Sequence, residues 1–500
     1  MSSEEILINV SPAETRVVII EHGLVQECHI ERESKKGKVG NIYQGKVVRV
    51  LPGMQAAFID IGLNKTVFLH SSDIYNPDQE VAQAQVQTQE SELVSTPTPI
   101  IPMPSIEKLL TVGQLICVQV FKDEMGTKGA RVTTKLSLPS RYLVYLPFEE
   151  KINIALKITD PLERERLKKI LGDQGGKGFI IRTAAEGVEE AVLIAEKKYI
   201  ETLWQEVALD IKSAKVGSLI YEDCSLMLKS IRDFANTETR SIKIDSLEGF
   251  KKLQKFSEKF VPMLFSKIEL HIENRPLFEL YHAESEIQKA LNKKVHLKSG
   301  GYLIIDQTEA LTTIDINTGG FVGTHNLEET AFKTNVEAAT QIARQLRLRN
   351  IGGIIVIDFI DMEEEEHKNE VMAELEKSMN LSGGKYKIGS FSPLGLVELT
   401  RKRVRESLKQ QMCDDCPVCN GTGFVKSIDT ICLEIYRELI KAHSDFSASG
   451  YLILCHESIA NKMLKQDHVL LTSLEQILNC PIQFQIEQRY QPEQYHVVLK

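Results

Sequence analysis

Residues 311–361 limit what this chain can fold into more than any other stretch. LTTIDIN and GGIIVIDFID read as short β-runs, and the segment between them, LEETAFKTNVEAATQIARQLRLR, sets Leu327, Ala331, Val336, Ala339, Ile342 and Leu346 roughly on one helical stripe. Asn326 and Glu329 give that helix a capping-box-like start. A helix of this length between two strands implies a right-handed crossover and a parallel strand pair. Each run also holds an acid in apolar company, Asp315 and Asp358. An ionised carboxylate costs several kcal/mol to bury unless it is paired or bound to a metal, which makes these two acids the first candidates for chemistry.

Strand alternation points Asp315 and Asn317 the same way, and sets Asp358 opposite to Asp361. In a parallel pair both acids fall toward carboxyl ends, where open α/β sheets place their sites. Two carboxylates and an amide oxygen suit magnesium, with manganese as a substitute. Such an ion polarises a phosphoryl oxygen and lowers the pKa of a bound water. The competing reading is that each Asp caps a loop or pairs with an arginine such as Arg344.

A chain of 500 residues is long enough for three or four compact domains. With 60 Lys plus Arg against 69 Asp plus Glu, the net charge of −9 excludes a general polycation, so any nucleic-acid contact must come from local basic patches. The opening MSSEEILINV lacks a basic n-region followed by an apolar h-region, and no later stretch offers about 18 uninterrupted apolar residues, so a cytoplasmic protein is expected. Residues 37–75 alternate apolar runs with glycine at the spacing of a small antiparallel barrel. Residues 78–105 are rich in Gln, Ser, Thr and Pro and read as a flexible loop, after which LICVQVFKDEMGTKGARVTTKLSL resumes the strand pattern and closes the barrel. Residues 140–225 mix strands and helices, and residues 424–500 read as helix, strand, helix and a final strand pair.

Nine cysteines, mostly scattered, argue for a reducing compartment. Only Cys413, Cys416 and Cys419 cluster, and Cys416-x-x-Cys419 with Gly421 and Gly423 following has the spacing of half a tetrahedral zinc site. Either Cys413 and a distant group complete it or a second protomer does, the alternative being a redox-active dithiol. In the barrel, Phe58, Phe68 and His70 stand at strand positions near Lys36, Lys38, Lys46, Arg49 and Lys128, a pattern that fits base stacking and phosphate contact, although Phe58 equally fits a barrel core. GGKGFIIRTAAEG ends a glycine-flanked strand in Arg182 and Thr183, a pair able to hold a terminal phosphate or simply an exposed strand end. LTRKRVRESLK, with Arg401, Lys402, Arg403 and Arg405, is expected to be helical, either a solvated face or a phosphate-contacting surface.

The stretch IDINTGGFVGTHNLEETAFKTNVEAATQIARQLRLRNIGGIIVIDFIDM, with ETRVVIIEHGLVQECHIERE, GNIYQGKVVRVLPGMQAAFIDIG, GFIIRTAAEG and CPVCNGTG, resembles the ribonuclease E/G family along nearly the whole chain. The end at residue 500, with no long tail, is expected to place it with the shorter members. The resemblance implies a multidomain α/β architecture: an RNase H-like domain in two parts (1–35 and 228–290), an OB-fold RNA-binding domain (36–134), a 5′-sensor domain (135–227), a DNase I-like catalytic domain (291–412), a zinc-link (413–423) and a small oligomerisation domain (424–500). It implies an endoribonuclease cutting single-stranded AU-rich RNA to 5′-phosphate and 3′-hydroxyl ends, favouring 5′-monophosphorylated substrates, in 16S ribosomal RNA maturation and mRNA decay. One magnesium per protomer would lie on Asp315 and Asp358, with Asn317 positioning the scissile phosphate. One zinc would join two protomers through Cys416 and Cys419, giving a homodimer or a homotetramer. Phe58, Phe68 and Lys128 would contact RNA, and Arg182, Thr183, Ser140 and Val144 would form the 5′-phosphate sensor. The family's further sensor arginine aligns with Lys385, which keeps the charge and loses the bidentate fork. The competing function is a non-catalytic, zinc-linked RNA-binding scaffold.

Overall fold

The computed structural model describes residues 4–75, 105–124, 129–172, 178–236, 238–320, 327–382, 384–403, 405–446, 448–466 and 468–500. The chain divides into two compact units, Met1–Gln411 and Met412–Lys500. It is a mixed α/β, multidomain molecule with four sheets in the first unit and one in the second. Among the described residues no helix is long and apolar enough to cross a membrane.

In the first unit, strands Glu4–Val10, Glu14–Glu21 and Leu24–Arg32 form one sheet with Thr239–Ile244 and Ile268–Leu270, the last two joining in parallel from far along the chain. Between these chain segments lies a closed five-stranded barrel consistent with an OB-fold. Strands Ile42–Leu51, Ala56–Asp60, Val67–His70, Arg131–Thr133 and Leu115–Lys122 follow one another around it, and the first pairs with the last. Its core alternates along each strand: Val47, Ala57, Ile59, Val67, Leu69, Val118, Val120 and Val132 point inward. Residues 76–104 lie outside the described residues, and the barrel closes across them as the strand pattern predicts. A four-stranded sheet of Leu138–Pro139, Leu143–Leu146, Ile152–Ile154 and Gly178–Ile181 packs with helix Glu190–Ser213 around Tyr145, Phe179 and Leu193.

The fourth sheet carries the acids. Its order is Lys294–His296, Tyr302–Gln307, Leu311–Asn317, Gly353–Asp358, Leu396–Arg401, Tyr386–Phe391, and every neighbouring pair is antiparallel except Leu311–Asn317 with Gly353–Asp358. That parallel pair is bridged by helix Leu327–Leu348, the crossover expected. One face packs Leu303, Ile305, Ile314, Ile316, Ile355, Ile357, Val397 and Leu399 against Ala338, Ala339, Ile342 and Leu346 of that helix and Val371, Leu375 and Met379 of helix Glu365–Ser382. The helical stripe holds except at Leu327, which is 87% exposed in the first turn, ahead of the point where the helix meets the sheet. Asn326 lies outside the described residues. Gly301 is required by close approach, since a Cβ there would stand 2.7 Å from the Asn317 carbonyl oxygen.

The basic run is not helical. Arg401 ends strand Leu396–Arg401, and the next helix begins only at Leu408. Three of its cations are spent on main-chain carbonyls. Arg401 donates to Ile351 at 2.9 Å, Arg403 to Gly352 at 2.8 Å and Arg405 to Cys28 at 3.1 Å; Arg401 and Arg405 are half-buried, while Lys402 and Arg403 stay exposed.

In the second unit, strand Tyr451–Cys455 is central, with Ile482–Ile486 parallel on one side and Tyr495–Leu499 antiparallel on the other. The two last strands therefore flank a third and do not pair with each other. Helices Ile428–Asp445 and His468–Leu478 close the core over Ile435, Leu439, Ile453 and Leu474.

Candidate active site

The face of the fourth sheet opposite its helices is open, and the acids stand on it. In Leu311–Asn317 the alternation is complete: Thr312, Ile314 and Ile316 are buried, while Thr313 and Asp315 are exposed and Asn317 is half-buried. Asp358 is exposed at the end of Gly353–Asp358. The cost of burial therefore does not explain either acid, because neither is buried, and the apolar neighbours belong to the other face. Register brings them together: Asp315 lies directly opposite Asp358 on adjacent parallel strands, which run about 4.8 Å apart. Asp361, in the loop beyond, is outside this pairing, as the facing argument requires.

Asn317 Nδ2 donates to Asp315 Oδ2 at 2.7 Å, which fixes that carboxylate and leaves its other oxygen uncommitted. Among the described residues no lysine or arginine forms an ion pair with Asp315 or Asp358; Arg344, the expected alternative partner, instead bonds Glu286 at 2.6 Å and the Val25 carbonyl at 3.1 Å. Two like charges in register repel unless a cation lies between them. Among the described residues no cluster of three or more His, Cys, Asp or Glu side chains is poised to hold a metal, and the two carboxylates could give a hard divalent ion at most a pair of side-chain ligands. Tyr302, the register partner of Asn317, lies beside the pair on the open face with Lys294 Nζ 3.7 Å from its ring centroid. Sequence reading missed both, although the same alternation could have found them.

The barrel presents an aromatic stripe outside its core. Phe58 and Phe68 are register partners, half-buried, with centroids 6.1 Å apart, and His70 continues the row 6.5 Å from Phe68. Phe58 is thus not a core residue. Arg49 opposes Phe58 and Arg131 opposes Phe68, with Arg131 also over the Phe121 ring at 5.1 Å; Phe121 and Arg131 were not among the residues the sequence singled out. Lys36 is tied to Glu222 and Lys38 stands 3.6 Å from Glu124. Lys128 lies outside the described residues.

Arg182 and Thr183 line a cleft of about 1090 Å³ together with Arg141, Lys157 and Asn236, and Ser140 is not among its lining residues. Arg182 Nη1 donates to the Ser140 carbonyl at 2.6 Å and to Asp233 at 2.8 Å, while its Nε and Nη2 have no partner among the described residues. Val144 sits in the same sheet as register partner of Ile180, which lines the cleft. Lys385 belongs to the fourth sheet's edge, its carbonyl accepting from Lys402, and it is not among the residues lining this cleft.

In the second unit Cys413 and Cys416 are exposed and Cys419 is half-buried. Backbone N–H groups of Gly423 and then Gly421 reach the Cys419 sulfur, along with the Cys416 thiol, and hold its pKa below the usual thiol value. Positive φ at Asn420, Gly421 and Gly423 makes the turn that aims those groups. The donor chemistry fits a thiolate-binding metal, for which Cys416 and Cys419 could supply half a tetrahedral set.

A sequence profile of the Ribonuclease E/G family matches residues 137–404, and one described as RNase E/G, Thioredoxin-like domain matches residues 415–499. Ribonuclease G of Escherichia coli (strain K12) is 46% identical over 498 residues, covering 99% of both chains. Ribonuclease G of Haemophilus influenzae is 44% identical over 503 residues, covering 100% of both. Ribonuclease E of Nostoc sp. is 35% identical over 392 residues, 77% of this chain and 54% of that one. With a family profile across more than half its length and relatives of this identity end to end, the chain belongs to the Ribonuclease E/G family.

Proposed function

We propose that the protein is a magnesium-dependent endoribonuclease whose reaction centre is the pair Asp315 and Asp358. The observation that carries this is their register: two exposed carboxylates directly opposite on adjacent strands, unmatched by any cation among the described residues. Their oxygen donors fit a hard divalent ion that keeps most of its waters. Magnesium bound there supplies polarisation of a phosphoryl oxygen and a more acidic water. Asn317 holds Asp315 in one orientation, and its placement beside the acids suits it to position a scissile phosphate. Phe58 and Phe68 offer ring faces to unpaired bases, which favours single-stranded RNA. The free Nε and Nη2 of Arg182, with the Thr183 hydroxyl, suit a 5′-monophosphate, so 5′-monophosphorylated substrates are preferred. The AU preference, the 5′-phosphate and 3′-hydroxyl products and a place in ribosomal RNA maturation and mRNA decay rest on the family membership. Zinc shared by two copies, each giving Cys416 and Cys419 and so joining protomers into a dimer or a dimer of dimers, rests on the family membership, and the C-x-x-C spacing fits it.

The test is Asp358→Asn in purified protein, assayed on a 5′-monophosphorylated oligoribonucleotide with and without magnesium. Binding survives and cleavage collapses. Unchanged cleavage in the variant removes Asp358 from the reaction. No cleavage by the unaltered protein in magnesium or manganese favours the scaffold reading, and equal cutting of single-stranded DNA favours a general phosphodiesterase.

A further inference from the structure

The open face of the fourth sheet continues past the two acids onto its first two strands. Val295 and Leu303 are register partners that pack on the helix-covered side, so Lys294 and His296 on one strand and Tyr302 and Ile304 on the next face the other way. Lys294 opposes Ile304, which opposes Asp315, while His296 opposes Tyr302, which opposes Asn317. These side chains therefore extend the surface that carries Asp315, Asn317 and Asp358 sideways by two strand spacings, about 10 Å.

Lys294 is exposed, and among the described residues its ammonium has no carboxylate partner. The adjacent Lys293 is the one that takes Asp306, at 2.8 Å. Lys294 leans instead toward the row of Asn317, with its Nζ 3.7 Å from the centroid of the Tyr302 ring. A lysine loses much rotamer freedom when it is held in one place, and the negative face of a ring holds it without neutralising its charge. Such a contact is ordinary on a protein surface; here the row it belongs to ends on the candidate reaction centre. A polyanion brought to two carboxylates meets repulsion, and Lys294 sets a fixed positive charge at the border of that field.

We infer that Lys294 binds the RNA phosphate next to the scissile one, and that Tyr302 is the positioning residue that holds it there. The inference rests on Asp315 and Asp358 being the reaction centre. Lys294 then fixes where the strand crosses the sheet, and so which linkage reaches the acids.

The test is affinity for a single-stranded oligoribonucleotide whose cut position has been mapped with the unaltered protein, read by fluorescence anisotropy across salt concentrations in the full-length Asp358→Asn protein. Lys294→Ala weakens binding by about three- to tenfold and makes the slope of log affinity against log salt shallower by about 0.7, the counterion release of one single-strand phosphate. Lys294→Arg restores the slope, and Tyr302→Phe, which keeps the ring, changes neither quantity. Tyr302→Leu weakens binding, and Lys294→Ala added to it costs less than Lys294→Ala alone, as coupled residues require. A neutral methylphosphonate in place of one linkage beside the cut removes the Lys294 dependence, and the side on which it does so gives the direction of the strand. A slope unmoved by Lys294→Ala, or a Lys294 dependence that survives neutral linkages on both sides, overturns the proposal while cleavage by the unaltered protein stands. Absence of cleavage by the unaltered protein in magnesium or manganese removes the reaction centre, and the proposal falls with it.

Discussion

At the scale of single residues, Asn317 separates orientation from ligation. Its amide touches Asp315 and not Asp358, so Asn317→Ala leaves both carboxylates in place and frees one of them to rotate. Loss of a group that orients a metal ligand typically costs about 10–100-fold in activity or metal affinity, and the expected outcome is a fall of that size, partly recovered at high magnesium. Steady-state cleavage measured across magnesium concentrations checks it; a loss as complete as that of Asp358→Asn, with no magnesium rescue, would place Asn317 on the substrate alone. A second residue reports on stability. His29 is buried, and that burial, with the Arg405 guanidinium and then Arg347, pushes its pKa down to about 4 from 6.5, against the opposing pull of Glu27. Between those values the unfolded chain binds more protons than the folded one. Stability present above pH 6.5 is therefore lost as pH falls toward 4, at up to about 1.4 kcal/mol per unit. Denaturant unfolding should show that slope, and His29→Gln should flatten it.

At the scale of elements, the parts legible in the sequence were those governed by periodicity. The strand–helix–strand unit around Asp315 and Asp358 and the closing of the barrel across residues 76–104 both follow from alternation and spacing. What alternation could not give was which face is covered. Asp315 reads as buried because its neighbours Ile314 and Ile316 are, yet helices lie on only one side of the sheet. The basic run failed for a related reason: Arg401, Arg403 and Arg405 look like a solvated helix until distant carbonyls at Ile351, Gly352 and Cys28 are brought to them. Phe58 was undecidable between core and surface, and the barrel's closure decides it by turning Ala57 and Ile59 inward. Because Phe58 stands outside that core, Phe58→Ala should leave thermal unfolding nearly unchanged. It should weaken single-stranded RNA binding by about 1–3 kcal/mol, read by fluorescence anisotropy in an Asp358→Asn background. Unaltered affinity would detach the aromatic stripe from RNA.

At the scale of the whole molecule, the two units divide the chemistry. The first holds the acids, the barrel and the Arg182 cleft, while Cys416 and Cys419 open the second, ahead of its own core of Ile431, Ile435, Leu439, Tyr451 and Ile453. Neither cysteine belongs to that core, so Cys416→Ser removes a sulfur ligand without creating a cavity. Two thiols are half of the roughly four ligands that a closed zinc site needs, and on the proposed reading the other half comes from a second copy. Cys416→Ser should then retain the far-ultraviolet dichroism and thermal unfolding of each unit and lose bound zinc. Its sedimenting mass should fall to half that of the zinc-loaded protein. Chelation of the unaltered protein should reproduce the fall, and zinc should reverse it, because structural zinc affinity depends on thiolates that serine cannot supply. A variant that loses zinc and keeps its mass would mean that protomers associate through other surfaces and that zinc only orders the turn from Cys416 to Gly423.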